Sequence, residues 1–238
     1  MGRTERVGSW VFLVQDRAQR IGLASLTANH LCKQHNSDLS PLDQAGIEAF
    51  EAIRGAATLT TKRSKERPRK WKVRRFEADG PLLERWFLKT GINLSLVQQT
   101  KNTWQLTGEN VRYVPEHLVQ AAFGLDPLQK PMGLYAAGNI GEDLAFTNSV
   151  SFAPILDENG EVVGFTFTFQ GLRFLMWVAT RPIPNPLVLP NSVEPAWKTS
   201  SLYRSPGYLR SKINGHDSHY IDILWPGKKV PSWVFSPV

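Results

Sequence analysis

The spacing of hydrophobic residues predicts three helices in the first half of the chain. A first helix is predicted to begin with Ser40 as its capping residue and to stop at Gly55, because hydrophobic residues recur between them at helical spacing. Hydrophobic periodicity predicts a second helix over residues 81–97 and a third over residues 115–123. Gly124 follows the third segment and is typical of a helix end.

The second half of the chain follows the two-residue period of β-strands. Strands are predicted at residues 150–154, 163–169 and 172–178, with turns at Asn159-Gly160 and Gln170-Gly171 between them. Val163, Phe165, Phe167 and Phe169 should then share one face of the middle strand, because alternate residues of a strand point the same way. These three strands predict an antiparallel meander.

A last strand is predicted at residues 219–225, where the chain is expected to return to the same sheet. The predicted fold class is therefore α+β, with an N-terminal helical part beside an antiparallel sheet of about five strands. We expect two regions. Residues 1–60 would hold a zinc-finger-like segment and the first helix, and residues 61–238 an α+β domain with the meander.

Composition indicates a packed protein in a reducing compartment. Hydrophobic residues make up 42% and charged residues 21% of the 238 residues, near the norm for globular proteins. Cys32 is the single cysteine, so an internal disulfide is excluded. The N-terminal apolar run Trp10–Val14 is too short for a signal-peptide core, and no stretch approaches the length of a membrane span. We therefore expect a cytoplasmic protein with no membrane contact.

Charge is concentrated in one segment, residues 62–75, called here the basic arm. It carries nine basic residues and one acid, Glu66, for a formal charge of +8, whereas the whole chain carries +7. A local block of this kind favours contact with a polyanion, and Trp71 within it is suited to stacking on a base. The predicted nucleic-acid-binding residues are Lys62, Arg63, Lys65, Arg67, Arg69, Lys70, Trp71, Lys72, Arg74 and Arg75. The alternative interpretation is a solvated hairpin with Trp71 tucked into the core.

A second motif lies just before the first helix. Cys32 and His35 have the Cys-x-x-His spacing that lets two ligands reach one zinc ion. The alternative interpretation is a buried thiol beside a surface histidine. The surrounding stretch ANHLCKQHNSDLSPLDQAG resembles the second half of the zinc-bearing segment in uncharacterised bacterial HNH-type (ββα-metal or treble-clef) proteins. That resemblance implies Cys32 and His35 as zinc ligands and Asn36 as the polar residue that follows them.

The sequence also departs from the HNH pattern. An upstream Cys-x-x-Cys is missing, so the zinc ligand set is incomplete, and no Glu-His or Asp-His precedes Cys32 to supply a general base. A chain shortened at its N-terminus is one expectation that would account for this. His216-Asp217-Ser218-His219 is a further candidate metal cluster, although turn residues of this kind usually collect for backbone reasons.

The sequence therefore favours a non-catalytic nucleic-acid-binding protein that contacts DNA or RNA through the basic arm. No catalytic residue is assigned and no cofactor is expected, with zinc as an open possibility. Two alternatives follow from the same residues. One is a degenerate or metal-dependent HNH-type endonuclease, and the other is a protein–protein interaction module whose basic arm meets an acidic partner.

Overall fold

The computed structural model of the chain describes residues 10–14, 17–21, 37–67, 71–99, 114–138, 146–147, 150–187, 198–213 and 216–227. Within these residues the chain forms three α-helices and ten β-strands. In chain order they are β1 Trp10–Val14, β2 Arg17–Ile21, α1 Ser40–Arg63, β3 Arg74–Asp79, α2 Gly80–Gln99, α3 Glu116–Phe123, β4 Gly133–Ala137, β5 Val150–Leu156, β6 Val162–Phe169, β7 Leu172–Trp177, β8 Leu202–Arg204, β9 Tyr208–Ile213 and β10 His216–Leu224.

The strands form three sheets, which confirms the predicted α+β class and the antiparallel meander. A hairpin pairs β1 with β2. The largest sheet has five strands in the order β5-β6-β7-β4-β8, and every neighbouring pair in it is antiparallel. The third sheet has the order β3-β10-β9, with β10 parallel to β3 and antiparallel to β9. The last strand was therefore predicted in the wrong sheet. Strand β10 pairs with β9 and with β3, whose first two residues are the end of the basic arm, and not with the meander.

Hydrophobic side chains from the helices and from both larger sheets meet in one cluster. Its members include Ile53 of α1, Phe87 of α2, Phe165 of β6 and Ile221 of β10. A smaller cluster on the other face of the five-stranded sheet contains Val163. The prediction that Val163 shares a face with the phenylalanines of β6 is thus wrong. The register shift between β5 and β6 beside this residue breaks the simple alternation.

Helix α1 differs from its prediction at both ends. Its N-cap residue is Leu39 rather than Ser40, and no side chain caps this end of the helix. The helix also continues past Gly55 to Arg63, so the predicted stop is wrong. A Cβ atom on Gly55 would lie 2.7 Å from the ring of Phe76, so glycine here permits close packing of the helix on β3. The predicted boundary at residue 60 falls inside this helix.

The other two helices begin and end within two residues of their predicted bounds. Asp79 ends β3 and its carboxylate accepts a hydrogen bond from the backbone N–H of Leu82 at 2.8 Å, which caps the start of α2. Helix α3 ends before Gly124, whose φ of 75° is the left-handed conformation of a helix C-cap. Asp79 is therefore both the last residue of β3 and the cap of α2, so the strand is followed directly by the helix.

Candidate nucleic-acid interface

The basic arm connects the end of α1 to the start of β3. Its first residues, Lys62 and Arg63, belong to the last turn of the helix, and its last residues, Arg74 and Arg75, open the strand. The helix ends at Arg63, five positions before Pro68 in the sequence. The predicted contacts Arg69 and Lys70 lie outside the described residues.

Arg63 is half-buried and bonds to other parts of the protein. Its Nη1 donates to the backbone oxygen of Ser218 at 2.5 Å and to the Oγ of the same residue at 3.0 Å. Its Nη2 donates to the backbone oxygen of Lys72 at 2.9 Å. The guanidinium also lies 5.0 Å from the centre of the Trp71 ring. Arg63 thereby links the end of α1, the returning arm and the central strand β10, which is a structural role.

Arg75 also turns inward. Its Nε and Nη2 donate to the two carboxylate oxygens of Asp222 at 2.5 and 2.6 Å, a bidentate pair between β3 and β10. The Asp222 side chain is only 3% exposed and that of Arg75 is 20% exposed, so the pair is largely shielded from water. The Arg75 guanidinium also lies 5.0 Å from the centre of the Tyr220 ring. The Arg75 guanidinium is thus already paired with a carboxylate of the protein, and this pairing weakens its predicted role as a phosphate contact.

The remaining described cations of the arm face solvent. These exposed residues are Lys62, Lys65, Arg67, Lys72 and Arg74. Three of them border a cleft of about 500 Å³ between the end of α1 and the returning arm, which is lined by Leu59, Lys62, Arg63, Glu66, Trp71, Lys72 and Arg74. The fold therefore collects positive charge from both ends of the arm around one concave surface.

A second cleft of about 510 Å³ continues this surface along β3. It shares Arg63, Lys72 and Arg74 with the first cleft and adds Val73, Arg75 and Phe76. Val73 is exposed on this surface, although it is apolar. The two clefts make a groove with a cationic rim that follows the arm onto the strand.

A buried polar layer supports the groove from below. His219 of β10 is fully buried, with its Nε2 3.3 Å from Thr60 Oγ1 and its Nδ1 3.0 Å from Ser218 Oγ. Burial, followed by the nearby charge of Arg63, lowers the pKa of His219 from 6.5 to about 4. His219 is therefore neutral near pH 7. Its Nε2 contact joins β10 to α1, while its Nδ1 contact stays within β10.

The structure does not test the predicted zinc ligands. Cys32, His35 and the following Asn36 lie outside the described residues. In the described ranges, no group of three or more His, Cys, Asp or Glu side chains is arranged to hold a metal ion. His219 of the second candidate cluster instead bonds to hydroxyl groups, while His216 is exposed at the start of β10.

Sequence reasoning missed several residues that shape the groove. Leu59 precedes the charged segment and lines the first cleft, and Ser218 and Asp222 hold the two inward arginines. A signal for Asp222 was present, since it is an acid between two isoleucines in a strand.

Across the described residues, none of the helices has the length and apolar character that a membrane crossing requires.

Comparison of the chain with models of protein families, with curated proteins and with solved structures gives no match. The groove is therefore the feature of the molecule that bears on its function.

Proposed function

We propose that this chain is a non-catalytic nucleic-acid-binding protein that holds phosphates of DNA or RNA on the exposed cations of the basic arm. The observation that supports the proposal best is that some cations of the arm bond to the protein while others are exposed at the groove. Arg63 and Arg75 hold the two ends of the arm through internal contacts, while Lys62, Lys72 and Arg74 border one groove. Because those contacts hold the backbone beside these cations, binding a phosphate costs mainly the ordering of each side chain, about 0.5–1.5 kcal/mol.

Another role for part of this charge must be separated from binding. Lys62 and Arg63 occupy the last turn of α1, where cations stabilise a helix by about 0.3–1 kcal/mol through its dipole. That effect does not extend to Lys72 and Arg74, which lie beyond the helix. A variant that removes charge on both sides of the groove therefore tests binding and not helix stability alone.

The test is a salt series of binding to fluorescent DNA and RNA with the variant Lys62→Gln/Lys72→Gln/Arg74→Gln. For the wild-type protein we expect log K to fall linearly with log salt. In the variant the slope should be shallower by roughly 2.7 on duplex DNA and roughly 2 on a single strand, since each phosphate contact contributes about 0.9 or 0.7.

A charge-matched control is available on the same chain. Arg54, Lys130 and Lys198 are exposed and lie outside the lining of both clefts. The variant Arg54→Gln/Lys130→Gln/Lys198→Gln loses the same net charge, and its salt slope should match that of the wild type. Equal slopes for the groove variant and the control would overturn the proposal.

The two alternative functions predict other results in the same samples. An HNH-type nuclease built on Cys32 and His35 would carry about one zinc ion per chain, lost in Cys32→Ser, and would cut DNA with a divalent ion. An interaction module would bind an acidic protein at the groove, and nucleic acid would compete with that protein for the same cations.

A further inference from the structure

The first cleft of the groove has the volume of a site for one small molecule. Its volume is about 500 Å³, within the range of about 300–1,000 Å³ typical of small-molecule sites. A double helix is about 12 Å across its major groove alone and cannot enter a cleft of this volume. A single nucleotide that has left a base stack can enter it.

The walls of the cleft differ in chemistry. Leu59 and Trp71 supply apolar surface, whereas Lys62, Lys72 and Arg74 supply positive charge. Among the described lining residues, Glu66 is the one carboxylate. A carboxylate repels a phosphate but accepts hydrogen bonds from the N–H groups of unpaired bases. The lining therefore suits a base inside the cleft and phosphates on its cationic rim.

The tryptophan is held in place before any ligand arrives. Arg63 lies 5.0 Å from the centre of the Trp71 ring and donates to the backbone oxygen of the next residue, Lys72. Because Arg63 is itself held by Ser218, this contact ties the ring to strand β10. A fixed aromatic surface loses little side-chain entropy when a base stacks on it.

From this geometry we infer that the ligand class is single-stranded nucleic acid, with one unpaired base packed against Trp71 and Leu59 and the flanking phosphates on Lys62, Lys72 and Arg74. Bases in a duplex have their faces covered by their neighbours, so duplex DNA or RNA offers this cleft only phosphates. The inference rests on the proposed function and narrows it. It applies equally to DNA and RNA strands, which share this chemistry.

The test compares three probes of about 12 nucleotides with the intact protein, a length within the usual range of single-strand sites. They are an oligothymidine strand, an abasic strand with the same phosphates, and a duplex. We expect the base-containing strand to bind roughly 5- to 150-fold more tightly than the abasic strand, since stacking of one base accounts for such a factor. Oligothymidine should also bind more tightly than the duplex, although the duplex carries more charge.

Two variants assign the effect to the ring. Trp71→Leu should abolish the preference for the base-containing strand, while Trp71→Phe should keep most of it, because phenylalanine still offers an aromatic face. Circular dichroism of each variant checks the fold, and the probe comparison with the unmodified protein stands even where Trp71→Leu fails to fold.

The outcomes separate this inference from the broader proposal. Equal affinity for the abasic and base-containing strands, or a duplex bound as tightly as the strand, overturns the single-strand inference. If the slope of log K against log salt is nevertheless shallower in the Lys62→Gln/Lys72→Gln/Arg74→Gln variant, the proposal of nucleic-acid binding stands and only the single-strand inference is lost. Absence of salt-dependent binding to every probe overturns both.

Discussion

Replacing Arg75 by alanine tests the division of the basic arm into cations that hold the fold and cations that face solvent. Arg75 and Arg74 are neighbours in sequence and identical in chemistry, yet only Arg75 forms the bidentate pair with Asp222. Arg74 is exposed at the groove. We expect Arg75→Ala to destabilise the protein strongly, and Arg74→Ala to change stability by less than about 0.5 kcal/mol, as is usual for surface positions.

The magnitude follows from the burial of Asp222. Its side chain is 3% exposed, so loss of Arg75 leaves a carboxylate charge in the interior without its counter-ion. Breaking a buried ion pair in this way costs about 3–5 kcal/mol. Because the Arg75 side chain is 20% exposed and water reaches part of the pair, we expect the lower end, about 3 kcal/mol. For a chain of this size that corresponds to a fall in Tm of roughly 6–12 °C.

Urea and thermal unfolding measure the difference in stability between Arg75→Ala and Arg74→Ala. The double variant Arg75→Met/Asp222→Leu is measured in the same way. Removing both charges leaves nothing unpaired in the interior, so the double variant should be much closer to the wild type than Arg75→Ala. If Arg75→Ala unfolds at the same urea concentration as Arg74→Ala, the reasoning is refuted. Arg75 would then return to the set of candidate phosphate contacts.

Two further predictions concern the interior of the protein. His219 has a pKa lowered to about 4 in the folded protein, so stability that is fully present above about pH 6.5 should be lost as pH falls towards 4, by roughly 2 kcal/mol between pH 7 and pH 5. Urea unfolding at both pH values should show a smaller loss in His219→Gln, and an equal loss would contradict the assignment. Gly91→Ala should destabilise by about 1–3 kcal/mol, since its Cβ would lie 2.6 Å from ring atoms of the fully buried Phe165. In the control Gly207→Ala, where no atom lies within 4 Å of the added Cβ, thermal unfolding should change little; similar losses in both variants would refute the packing argument.

Local signals predicted much of the secondary structure. The end of α3 was predicted because Gly124 adopts the left-handed conformation that glycine favours, and this requires no distant partner. The meander was predicted because its turns and its two-residue alternation are encoded within some 30 consecutive residues. Gly55 misled the same reasoning, since its role depends on Phe76, which reaches the helix only after the chain has turned back.

The sequence by itself determined the α+β class, most of the elements, and a block of charge concentrated enough to indicate a polyanion as ligand. It did not determine which cations of that block face solvent. Asp222 lies 147 residues beyond Arg75, and only the parallel pairing of β10 with β3 brings the two together. A carboxylate taken out of water by that pairing requires a counter-ion, so burial of Asp222 assigned Arg75 to the interior and left Arg74 at the groove.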